Sequence, residues 1–78
     1  MSPRITPIHW KILEKIFIAD GFIFKRTRGD HRCYEKQGVA RPVIIPTYNE
    51  IDEDIIHANM RTAGMSRDRY FQLLKKVK

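Results

Sequence analysis

The stretch from Phe22 to Lys36 reads FIFKRTRGDHRCYEK, and it restricts the fold more than any other part of the chain. Phe22, Ile23 and Phe24 favour extended backbone, because aromatic and β-branched side chains pack well on a pleated surface. Gly29-Asp30 suits a two-residue hairpin turn, since glycine tolerates positive φ. The chain must then return antiparallel to itself from about His31 to Lys36, with a register set by the turn. Period-two alternation places Asp30, Arg32 and Tyr34 on one face and His31, Cys33 and Glu35 on the other.

The remaining segments supply one more strand and three helices. A second turn at Gln37-Gly38 leads into RPVIIP, where Val43, Ile44 and Ile45 form a short buried strand bounded by Pro42 and Pro46. Upstream, Thr6 is positioned to cap a helix whose first residue is Pro7, which has no N–H to leave unpaired. Ile8, Ile12, Leu13, Ile16 and Phe17 recur at helical spacing, with Lys11, Glu14 and Lys15 on the other side. That helix ends at Asp20-Gly21. Downstream, the acidic run NEIDED suits a helix N-terminus, where the backbone carries partial positive charge. Ile55, Ile56, Met60 and Ala63 are its apolar side, Gly64 ends it, and Ser66 caps a last helix with the stripe Tyr70, Phe71, Leu74 and Val77. The architecture expected is α+β: a three-stranded antiparallel sheet with helices packed on one face. At 78 residues the chain reads as a single domain, 1–78, with a modest core and no room for a large enclosed active site.

Charge narrows the choice of partner. Fifteen Lys and Arg against nine Asp and Glu leave a net charge of +6, which favours an anionic ligand, nucleic acid first. The single cysteine, Cys33, has no internal disulfide partner and belongs to no zinc-type spacing, so a reduced cytoplasmic setting is expected and no metal site. The opening MSPRITPIHWK has no long apolar run of the signal-peptide kind. No stretch approaches the ~20 apolar residues of a membrane span, and no membrane partner is expected.

Three histidines are candidates for chemistry. His9 lies near the apolar stripe of the first helix and His57 lies among Ile56, Ala58 and Met60; both read as packed structural side chains. His31 differs. It opens a strand directly after a tight turn, and Lys25, Arg26, Arg28 and Arg32 lie within six positions of it. Imidazole exchanges a proton near neutral pH, at ~6.5 when unperturbed. Guanidinium groups bind phosphate in bidentate fashion and stabilise charge developing on it. A base beside cations is the equipment of metal-free RNA cleavage, in which the base activates a ribose 2′-OH. The competing reading is an exposed hairpin with a solvated charge run, and on residue chemistry alone that reading is favoured. Asp30 either supplies turn chemistry alone or also orients His31. Cys33 reads as a small strand residue rather than a nucleophile.

At these residues the chain resembles the HicA family of small toxins, also called YcfA-like proteins. The resemblance covers nearly the whole length. DGFIFKRTRGDH is similar to the family's Gly-Phe … Arg … Gly-Ser-His strand–turn–strand, RPVIIP to its short apolar strand ending in proline, and IIHANMRTAGMSRDRYFQLL to its helical tail. The resemblance implies an α-β-β-β-α fold like that of double-stranded-RNA-binding domains, here with an extra C-terminal helix. It implies an mRNA interferase of a type II toxin–antitoxin system, needing no cofactor, and a HicB antitoxin that covers the active face. It implies a catalytic histidine at His31. The residue reading adds Lys25, Arg26, Arg28 and Arg32 as the cations that would hold the RNA backbone, with Gly29 and Asp30 shaping the turn. One departure stands out: Asp30 occupies the place of the family's serine. It puts negative charge beside the base, which favours imidazolium and opposes RNA phosphate. The tail from Ser66 to Lys78 exceeds the shortest family members and is expected at the sheet edge or an interface.

Two other functions compete. The same fold class includes non-catalytic modules that bind RNA by shape, phosphate and 2′-OH contacts. The helix, Ala-Gly turn and helix of the last third resemble a helix-turn-helix, which would bind DNA through Arg67, Asp68, Arg69 and Gln72. Asp68 opposes phosphate, and in toxin–antitoxin systems DNA binding usually belongs to the antitoxin, so DNA contact is expected only indirectly.

Overall fold

The computed structural model describes residues 3–78. Its elements run α1 (Trp10–Ala19), β1 (Ile23–Arg28), β2 (His31–Glu35), β3 (Val43–Pro46), α2 (Glu53–Ala63) and α3 (Arg67–Val77). The sheet is antiparallel with order β1-β2-β3. The α+β architecture read from the sequence is the one observed, helices included.

The hairpin forms where glycine permits it. Arg28 pairs with His31 across the turn, and Gly29 takes φ +60°, as the first residue of a tight hairpin turn can. The β1–β2 register slips between Phe24 and Arg26, so Lys25 is an extra residue in β1. Such a bulge strengthens the local twist and re-aims side chains. On β2 the alternation holds. Tyr34, paired with Phe24 and Val43, lies on the covered side, while Cys33, paired with Arg26 and Ile44, lies on the open side.

The core sits between the covered side of the sheet and the helices. Leu13, Ile16 and Phe17 of α1, Tyr34, Val43 and Ile45 of the sheet, and Ile56 and Met60 of α2 are fully or nearly fully buried together. Each such aliphatic or aromatic side chain contributes about 1.5–3 kcal/mol on burial. Cys33 is also buried, yet it is not part of this cluster.

The first helix starts later than Thr6-Pro7. Ile8 and Ile51 exchange backbone hydrogen bonds of 3.3 and 2.7 Å, which holds the chain extended through Ile8. His9 is the N-cap, its Nδ1 accepting from the Lys11 N–H at 3.1 Å. Tertiary pairing with the segment before α2 therefore overrides the local cap signal. The ends of α1 and α2 fall at Asp20 and Gly64 as expected, with Gly64 in the left-handed region at φ +66°. Ser66 caps α3 as expected, its Oγ accepting from the Arg69 N–H. Leu73, rather than Leu74, joins Tyr70 as the buried face of α3. The tail does not lie along the sheet edge. It packs on α1, and Arg69 Nε bonds Asp20 Oδ1 at 3.1 Å at the end of that helix.

Candidate functional site on the open face of the sheet

One face of the sheet carries no helix, and the hairpin places His31 there. Arg26, Arg28, His31, Cys33, Pro42 and Ile44 line an open hollow of about 420 Å3. The register explains the grouping. Arg28 faces His31 and Arg26 faces Cys33 across β1–β2, while Ile44 faces Cys33 across β2–β3, and directly paired residues share a face. Cys33 and Ile44 make an apolar floor, and two guanidinium groups and an imidazole make the rim.

His31 Nδ1 lies 2.9 Å from Asp30 Oδ1, with about half of the His31 side chain and rather more of Asp30 exposed. The alternation that puts Asp30 with Arg32 and Tyr34 thus fails at this residue alone, because Asp30 belongs to the turn rather than to β2. The turn is clamped from the other side. The Asp30 carbonyl accepts from the Thr47 N–H at 2.8 Å and from Thr47 Oγ1 at 3.0 Å. Thr47, just beyond β3, was not singled out in the sequence; a threonine after Pro46 carries no local signal of a partner 17 residues away.

The structure brings Arg26 and Arg28 to His31 and does not bring Arg32. Arg32 points to the covered side, where its Nη2 lies 3.1 Å from Glu14 Oε2 and its Nε donates to Tyr34 Oη at 3.0 Å. Its guanidinium stacks 4.0 Å from the centre of the Phe24 ring. The hydrogen bond to Tyr34 is the main reason that the Arg32 pKa is raised. Burial first, and then a short hydrogen bond to Glu14, push the Tyr34 hydroxyl up to about 12. This triad ties α1 to β2. Lys25 stays on the open face and lines a neighbouring hollow of about 390 Å3 with Ile23, Glu35 and Arg41.

The other candidates fall elsewhere. His9 caps α1, and His57 lies half-buried within α2. Among the described residues no group of three or more His, Cys, Asp or Glu is placed to hold a metal ion, and no helix is long and apolar enough to cross a membrane. Of the four side chains proposed to read DNA, Arg67 is bonded to the Pro3 carbonyl and Arg69 to Asp20, so two are occupied within the protein.

The family model described as "HicA toxin of bacterial toxin-antitoxin" matches residues 10–65. The match runs from the first residue of α1 to just past α2 and contains the whole hairpin and β3; α3 lies beyond it. No curated protein matches the chain.

Proposed function

The chain belongs to the HicA family of toxins of bacterial toxin–antitoxin systems, and we propose that it is an mRNA interferase, an endoribonuclease in which His31 is the general base and acid. The observation that carries this reading is the His31–Asp30 contact at the rim of a hollow that also holds Arg26 and Arg28.

The proposed chemistry follows from those groups. A carboxylate 2.9 Å from Nδ1 favours the proton on that nitrogen and leaves Nε2 bare. Nε2 takes the proton of a ribose 2′-OH, and the 2′-oxygen attacks the adjacent phosphorus. Negative charge on the phosphorane is stabilised by Arg26 and Arg28, whose guanidinium groups match phosphate oxygens. The bond to the 5′-oxygen breaks, and the imidazolium returns its proton to that oxygen. The products are a 2′,3′-cyclic phosphate and a 5′-hydroxyl. The step needs no bound cofactor, in line with what the family resemblance implies.

A toxin of this family has an antitoxin partner. A HicB-like antitoxin that covers the open face would bury His31 and block the hollow. Asp30 also supports a second reading, a non-catalytic RNA-binding module, because its carboxylate adds negative charge where a phosphate must sit.

The test is incubation of purified wild-type and His31→Ala protein with a long single-stranded RNA in EDTA, followed by analysis of fragment ends. Cleavage by wild type alone, leaving 2′,3′-cyclic ends, is the expected result. Equal cleavage by a well-folded His31→Ala protein would remove His31 from the mechanism. Salt-dependent RNA binding without cleavage by wild type would favour the binding module.

A further inference from the structure

The hollow at His31 has a neighbour. The second hollow, of about 390 Å3, shares Pro42 with the first and is lined by Ile23, Lys25, Val39 and Arg41, with Glu35 as its acid. The two lie in line along β2. The residues of that strand that face the open side run from His31 through Cys33 to Glu35, roughly 13 Å at ~3.3 Å per residue.

Both hollows combine apolar surface with cations that have no protein partner. Ile23 is 62% exposed, the most exposed large apolar side chain of the protein among the described residues. Among those residues Lys25, Arg26, Arg28 and Arg41 make no ion pair and no side-chain hydrogen bond, whereas Lys36, which also lines the second hollow, is paired with Asp20, and Arg32 on the covered side is paired with Glu14. Unpaired guanidinium and ammonium groups beside an open apolar floor suit a ligand that offers phosphates and flat apolar rings together.

A single RNA strand offers both. In a duplex the bases are paired, stacked and turned away, and a protein meets backbone and 2′-OH groups instead. Attack by a 2′-oxygen also requires it to come in line with the bond that breaks, an aligned geometry. A regular A-form helix does not provide that alignment, and an unpaired strand can adopt it.

We infer that the two hollows form one track for an unpaired RNA strand, in which Arg41 with Lys25 holds the backbone of the nucleotide next to the one cleaved, and Ile23, Val39 and Pro42 carry its base. The inference rests on the ribonuclease reading above. Arg41 is then a specificity and affinity residue that takes no part in the proton transfers.

The probe is a single-stranded RNA oligonucleotide with 2′-fluoro sugars, which lacks the attacking hydroxyl, followed by fluorescence anisotropy at several salt concentrations. The full chain, Arg41→Ala, Arg41→Lys and Ile23→Asp are compared on it, and wild type is compared on its duplex. Arg41→Ala is expected to weaken single-strand binding about three- to tenfold and to lower the slope of log K against log salt by ~0.7, the value for one lost phosphate contact on a single strand. Arg41→Lys restores most of the slope, Ile23→Asp weakens binding by a similar factor, and the duplex binds wild type at least about tenfold more weakly. Arg41→Ala binding like wild type would overturn the track and leave the second hollow to the antitoxin. So would a duplex that binds as tightly as the single strand. Cleavage of unmodified RNA by the same proteins separates the two claims. His31-dependent cleavage with no Arg41 effect on binding sinks the track alone. Arg41-dependent binding without cleavage sinks the ribonuclease reading and leaves the track as the surface of a binding module.

Discussion

Alternate residues of a single strand meet opposite fates in this protein. On the covered side of β2, Arg32 and Tyr34 are joined to Glu14 of α1, and every charge has a partner within hydrogen-bond distance. On the open side, His31 is paired with Asp30 at 2.9 Å, while Arg26 and Arg28 beside it have no partner among the described residues. The arginines have the same chemistry and lie on the two strands of one hairpin, Arg26 and Arg28 on β1 and Arg32 on β2. What separates them is the helix. Where α1 lies against the sheet, an arginine costs free energy unless a carboxylate meets it, and Glu14 does. Where no helix lies, the cations keep their hydration and remain free to trade it for an anionic ligand. The covered face uses its charges to hold the fold, and the open face leaves Arg26 and Arg28 without a protein partner among the described residues.

The contrast is broken first at His31. Replacement by alanine is expected to lower RNA cleavage by ~100- to 10,000-fold, the range for a positioned acid–base group. The melting temperature should stay within a degree or two, because the side chain is half exposed. A wild-type cleavage rate from the folded variant would sink the division of labour between the faces.

The two arginines give a crossed test of the same division. Arg28→Ala should weaken single-strand RNA binding about tenfold and flatten its salt dependence by ~0.7, with stability unchanged. Arg32→Ala should instead destabilise by about 1–2 kcal/mol, the scale for leaving a partly exposed charged partner unsatisfied. Chemical denaturation reads that loss. If Arg32→Ala weakens RNA binding as much as Arg28→Ala and leaves stability intact, the assignment of the two faces is reversed.

Asp30→Asn tests the pairing on the open face. Without a carboxylate at Nδ1, the tautomer with Nε2 bare is less favoured, and the cleavage rate should fall about tenfold, or ~1.4 kcal/mol in the barrier. An unchanged rate would reduce Asp30 to turn chemistry.

The smallest effect concerns the covered side at high pH. Burial raises the hydroxyls of Tyr34 and Tyr70 to about 12 from 10.0. Their folded pKa values lie above the unfolded ones, so the native state holds more protons between about pH 10 and 12. The stability they contribute is complete below pH 10 and is lost as pH rises through that window. Tyr70 has no hydrogen-bond partner for its hydroxyl among the described residues, so Tyr70→Phe should change stability at pH 7 by less than ~1 kcal/mol and soften the loss between pH 10 and 12. Alkaline melting curves of the two proteins that superimpose would place the raised pKa elsewhere.

The sequence carried the local decisions. A glycine that can take positive φ, flanked by β-favouring residues, specifies the hairpin between Arg28 and His31, and period two then assigns His31 and Cys33 to one side and Arg32 and Tyr34 to the other. Gly64 and Ser66 mark the boundary between α2 and α3 for equally local reasons. The pattern of small motifs was enough to point to the toxin family. Three matters were decided by contacts between distant segments. The start of α1 moved from Pro7 to Trp10 because Ile51 pairs with Ile8. The separation of Arg32 from Arg26 and Arg28 became final only when Glu14 was placed opposite it, 18 residues away. The join of the two hollows depends on Pro42 and Arg41 arriving from the approach to β3 beside the extra residue Lys25 of β1. Spacing along the chain reports which side of a strand a residue takes; which side is covered, and by what charge, is settled only when the elements pack.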